Sequence, residues 1–110
     1  MLRIGDDNSI QLTRGDTAYL QVPIYNDVTG EEYEMAKDDR LTFSVKRNIN
    51  DTEYCFQKEL VGSNTFKIEP DDTKSYDFAS YKYDVQLTTA SGDVYTVIAP
   101  AVFKICTEVT

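Results

Sequence analysis

The segment Tyr81-Lys82-Tyr83-Asp84-Val85-Gln86-Leu87 alternates strictly. Tyr81, Tyr83, Val85 and Leu87 fall on one side of an extended chain, and Lys82, Asp84 and Gln86 fall on the other. Successive strand side chains point to opposite faces, so the pattern predicts a half-buried strand. The Ser91-Gly92-Asp93 turn then joins it to residues 94–99 as an antiparallel hairpin. The same grammar recurs along the chain. Ile10 and Leu12 oppose Gln11 and Thr13, while Ala18, Leu20, Val22 and Ile24 oppose Tyr19, Gln21, Pro23 and Tyr25. Leu41, Phe43 and Val45 predict a further strand, as do Phe66 and Ile68, and Tyr54, Phe56, Lys58 and Leu60 oppose Cys55, Gln57 and Glu59. A last strand covers residues 101–109, with Phe103 and Ile105 inward. Pro23 lacks an N–H for a ladder and predicts an edge or a bulge. Residues 31–40 leave two readings open, a short strand around Tyr33 and Met35 or a single helical turn. Residues 70–78 read as a polar corner, and no helix of useful length is expected.

Seven or eight strands recur at intervals of about 10–12 residues with turn residues between them, which is the spacing of a sandwich rather than of a βαβ fold. The expectation is therefore an all-β, immunoglobulin-like antiparallel β-sandwich of seven to eight strands. Leu20, Val22, Leu41, Phe43, Val45, Phe66, Ile68, Tyr81, Tyr83, Val85 and Leu87 are predicted among its core. A chain of 110 residues suits one domain, 1–110, which buries roughly 60–70% of its unfolded surface. One local pattern points the same way. Asp77-Phe78-Ala79-Ser80-Tyr81-Lys82-Tyr83 resembles the corner opening strand F of immunoglobulin-like domains, where a Tyr hydroxyl bonds back to upstream backbone. Tyr81 would be that tyrosine.

Composition narrows the function classes. The chain is 41% hydrophobic and 27% charged, ordinary for a folded globule, with a formal net charge of −8. Nucleic-acid binding draws on Lys and Arg neutralising phosphates, so such an acidic chain is expected to bind no nucleic acid and no anionic membrane. No run approaches the roughly 20 apolar residues that cross a bilayer. Met1-Leu2-Arg3-Ile4-Gly5-Asp6-Asp7 carries no apolar signal region, and the chain is expected to be made in the cytoplasm. Cys55 and Cys106 both fall on faces opposite the inward residues, so two free thiols are expected rather than a disulfide.

Candidate chemistry is sparse. The chain has no histidine, the commonest general base and zinc ligand, and no nucleophile-elbow, phosphate-loop or dinucleotide glycine motif. No catalytic residue, cofactor or metal is expected. Asp6-Asp7-Asn8, Glu31-Glu32, Asp38-Asp39 and Glu69/Asp71/Asp72 are oxygen-rich but lack calcium-loop spacing, and they read as solvated loop charge. Arg14-Gly15-Asp16 is the tripeptide read by integrins, yet it also fits a plain turn between strands. Eight Tyr and no Trp suit a protein interface better than a sugar-stacking platform.

Three segments carry a wider resemblance: Arg14-Gly15-Asp16-Thr17, residues 64–73, and Tyr81–Leu87. In this order and spacing they resemble the small immunoglobulin-like proteins of tail and baseplate modules in tailed phages and Gram-positive prophages. They are also similar to the N-terminal domain of baseplate upper proteins. The likeness runs from Ile10 to about Val109. Relatives place Gly where this chain has Ala79, so a positive φ there would be strained. The resemblance implies a non-enzymatic assembly protein of a virion tail whose partners are other tail or baseplate proteins, with a homo-oligomer also in view. The alternative is a ligand-binding or adhesion module of a bacterial surface protein. The candidate interface comprises Val102, Phe103, Ile105 and Val109 of the last strand together with the outward Tyr19, Tyr25 and Tyr95. The bland reading of that strand is an ordinary one tucked on its own sheet.

Overall fold

The structure, a computed structural model, describes residues 2–4, 7–26 and 28–107, with side chains described for 7–26 and 28–107. Its elements are β1 (Leu2–Ile4), β2 (Ile10–Thr13), β3 (Ala18–Gln21), β4 (Arg40–Lys46), β5 (Phe56–Val61), β6 (Thr65–Ile68), α1 (Pro70–Lys74), β7 (Ala79–Thr88) and β8 (Val94–Cys106). Six strands form one sheet in the order β1-β2-β8-β7-β4-β5, and β3 and β6 form a second. The all-β expectation holds, and β1 is a strand the hydropathy pattern did not signal.

Pairing is not antiparallel throughout. β2 runs parallel to β8, with Ile10 opposite Phe103 and Leu12 opposite Ile105. A tight hairpin forces antiparallel neighbours, but β2 and β8 lie at opposite ends of the chain. Their relative direction is set by how β8 returns from its hairpin with β7, so the large sheet is mixed.

Alternation predicts the core well. Every residue expected there is buried, and Ile10, Leu12, Ala18, Ile24, Phe103 and Ile105 join them. Phe43 is the hub. Its ring centroid lies 5.5 Å from Phe66 of the facing sheet, 5.2 Å from Tyr83 and 6.0 Å from Phe103. Burying such a ring contributes on the order of 1.5–3 kcal/mol. Alternation also survives across Pro23. Val22 and Ile24 are buried and Pro23 and Tyr25 exposed, although β3 stops at Gln21. Beyond that point Asn64 takes over, its carbonyl accepting from the Val22 N–H at 2.8 Å.

Three local readings change. Residues 31–39 form neither a strand nor a helix, and Arg40 already opens β4; among the described residues an isolated bridge joins Tyr25 to Glu32. The polar corner contains the one-turn helix α1, with Pro70 at its start and Asp72 accepting from the Glu69 N–H at 2.7 Å. The Glu-Pro-Asp-Asp run carried that signal, since Pro suits the first helical position and acids suit the first turn. The same Asp72 meets Lys58 at 2.6 Å, which explains a lysine on the inward side of β5. Cys55 precedes β5 and packs against the core margin rather than on the outer face, so burial pushes its thiol pKa up. Cys55 and Cys106 are both free thiols.

The corner before β7 is closed by the Tyr81 hydroxyl, which donates to the Asp77 carbonyl at 2.9 Å. Ala79 opens the strand without a positive φ, so the anticipated strain there is absent. Arg14-Gly15-Asp16 is a packed turn. Gly15 has φ 85°, its N–H donates to the buried Thr73 hydroxyl at 2.9 Å, and the Arg14 guanidinium lies 4.1 Å from the Phe78 ring centre.

Candidate functional site

β8 is a single strand with two irregularities, where the sequence suggested two strands separated at Pro100. Val85 pairs with Ile98 but Gln86 pairs with Thr96, so Val97 is an extra residue on β8. Tyr83 pairs with Ala101 while Val85 pairs with Ile98, which places another extra residue around Ala99 and Pro100. A bulge tolerates a proline that an ordinary ladder would not.

These bulges separate two environments. From Phe103 to Ile105, β8 lies between β7 and β2. Phe103 and Ile105 are 0% and 1% exposed, so as interface candidates they are corrected to core residues. Val102 is half-buried, and Val109 lies outside the described residues. The final strand is therefore no free edge over this stretch, because β2 covers it. On the hairpin side of Pro100, over residues 94–99, no described strand pairs with β8 on the side away from β7.

Beside that open edge runs a groove of about 700 Å³, floored by Ile24 and Leu87 and walled by Tyr25, Val28, Tyr33, Tyr95 and Val97. The facing sheet has two described strands, β3 and β6, and neither extends over it. Tyr95 pairs with the inward Leu87 and shares its face, yet it remains 54% exposed. The structure thus brings together Tyr25 and Tyr95 of the sequence candidates. Tyr19 is exposed elsewhere, on β3, with the Lys67 ammonium 5.9 Å from its ring centre.

Asp39 holds the walls of the groove. Expected as solvated loop charge, it is 2% exposed. Its carboxylate accepts from the Tyr33 hydroxyl, from the Ala36 N–H at 2.9 Å, and from the Ala90 N–H at 3.1 Å in the β7–β8 hairpin. Its own carbonyl accepts from Gly62 N–H at 2.8 Å. Gly62 has φ +69°, and a Cβ there would stand 3.1 Å from the Lys37 carbonyl oxygen, so glycine suits this junction. The Tyr33 hydrogen bond, then the backbone donors, lower the Asp39 pKa, and the same contact raises that of Tyr33. Asp39 therefore stabilises the fold above the usual carboxylate range and loses this as pH falls through its lowered value. Nothing in a lone Asp-Asp pair distinguishes such a brace from loop charge.

A second, smaller hollow of about 160 Å³ lies on the outer face of the large sheet, among Ser44, Lys46, Tyr54, Gln57, Lys82 and Asp84. Burial raises the Asp84 pKa, with Lys46 opposing the shift. Gln57 donates to the Ser44 hydroxyl at 2.9 Å and Lys46 to the Asp51 backbone carbonyl at 2.7 Å, so these three side chains are held by contacts within the fold. Among the described residues no three His, Cys, Asp or Glu side chains gather as metal ligands, and no helix is long and apolar enough to cross a membrane. No family model matches the chain, and no curated protein is significantly similar to it.

Proposed function

We propose that this chain is a non-enzymatic structural protein of a phage or prophage tail, associated with the baseplate and acting through protein–protein contacts on an immunoglobulin-like scaffold. The scaffold reading draws on the run β8-β7-β4 in one sheet facing β3-β6 in the other, which is the arrangement of strands G, F and C against B and E. The Tyr81 corner agrees with it. The observation that carries the contact role is the grouping of Tyr25, Val28 and Tyr95, 62%, 93% and 54% exposed, along one groove. Aromatic surface of this kind is costly to leave in water and is typical of sites that a partner covers. The tail assignment itself rests on the sequence resemblance.

Quantitative mass spectrometry of purified particles induced from the source strain tests the reading. The expected result is this chain in fixed ratio to tail and baseplate proteins; particles that lack it overturn the assignment. The second reading, an adhesion or ligand-binding module of a surface protein, is favoured by the hollow beside Asp84. The Arg14-Gly15-Asp16 turn does not support it, because Arg14 is stacked on Phe78.

A further inference from the structure

We infer that the open edge of β8 and its groove accept an extended, basic segment of a partner protein, added as a short extra strand beyond β8. This rests on the contact role proposed above and specifies its chemistry. Over residues 94–99 the backbone of β8 pairs, among the described residues, with β7 alone, and an unpaired strand edge is a template for another strand. A strand laid there would point alternate side chains into the groove, onto Leu87, Ile24, Tyr33 and Tyr95. Those inward positions are accordingly apolar.

The bulges at Val97 and around Pro100 interrupt the ladder, so the added strand is short. They also blunt the rest of the edge against indiscriminate pairing.

Charge selects the occupant. Among the described residues no Lys or Arg lines the groove. The exposed Glu31 and Glu32 flank it on one bank, tied to the groove-lining Asn26 and Tyr25 by the Asn26 N–H to Glu31 carbonyl bond of 2.8 Å and by the Tyr25–Glu32 bridge. Asp93, also exposed, ends the hairpin immediately before Val94 on the other bank. A second copy of this chain, itself at −8, would bring the same acidic banks against one another in an isologous pairing. A segment with Lys or Arg flanking alternate apolar residues is instead attracted.

The test uses the full chain and a pooled library of dodecapeptides. Val, Ile, Leu or Tyr fill alternate positions, and Lys, Arg, Glu or Thr fill the others. A Tyr25→Ala/Tyr95→Ala variant serves as counter-target and is expected to fold, because both rings are more than half exposed. A thermal melt of the variant confirms that fold. Supporting results are enriched peptides rich in Lys or Arg that bind wild type at least about tenfold more tightly than the variant. They lose binding when a central residue becomes Pro, and they protect the amides of residues 94–97 from exchange. Peptides that bind both proteins equally, that are acidic, or that protect the β5 edge instead overturn the inference. So does an empty selection, or a chain that dimerises through β8. Particles that contain the protein while the selection fails leave the tail assignment standing and remove only this inference.

Discussion

The two halves of β8 carry similar side chains and meet different fates. Phe103 and Ile105 are buried completely, between β7 and β2 and beneath the facing core. Val94 and Tyr95 are more than half exposed, although Tyr95 occupies an inward register position opposite Leu87. Hydrophobicity does not separate these residues; cover does. One half has strands on both sides and Phe43 packed against it, with Phe103 6.0 Å from that ring. The other has, among the described residues, one neighbouring strand and a two-stranded facing sheet. An inward register position becomes core only where a second layer exists to receive it.

The largest expected contrast is between Phe103→Ala and Tyr95→Ala. The first should cost about 3–5 kcal/mol, because it leaves a cavity beside Phe43. The second should stay within about 0.5 kcal/mol, as exposed substitutions do. Urea unfolding of both variants measures the difference, and comparable losses would mean that the open half is as well packed as the closed one.

Alkaline pH offers a second probe of the closed half. Burial pushes the Tyr83 pKa up to about 12, and burial likewise raises those of Tyr76 and Tyr81. The folded chain then holds these protons at pH values where unfolded tyrosines, near the ordinary 10.0, begin to release them. Stability is therefore fully present below about pH 10 and lost as pH rises toward 12. A shift of that size corresponds to on the order of 1–3 kcal/mol for Tyr83. Melting temperature followed from pH 9 to 12 should fall, and Tyr83→Phe should flatten the decline.

Smaller effects sharpen the boundary. Tyr81→Phe removes the 2.9 Å bond to Asp77 and should cost about 0.5–1.5 kcal/mol; no change at all would show that the corner is held by ring packing. Pro100→Ala, at an exposed bulge position, should cost only about 0.4–1 kcal/mol, chiefly by loosening the unfolded chain. A stabilised Pro100→Ala protein would indicate that the bulge is strained by its proline.

What the sequence determined was the period of each strand and hence which side chains face inward. Ala18, Leu20, Val22 and Ile24 kept their parity even past Pro23, because alternation follows from the extended backbone itself. The Tyr81 corner was legible for the same reason, being a contact across only a few residues. Tertiary structure decided the rest. The direction of β2 against β8, the joining of two predicted strands through bulges at Val97 and Pro100, and the burial of Asp39 all depend on segments far apart in the chain. The groove shows it most directly. Tyr25 and Tyr95 each looked outward by pattern or propensity, but only folding sets them on one open edge, because a gap in the facing layer belongs to no single strand.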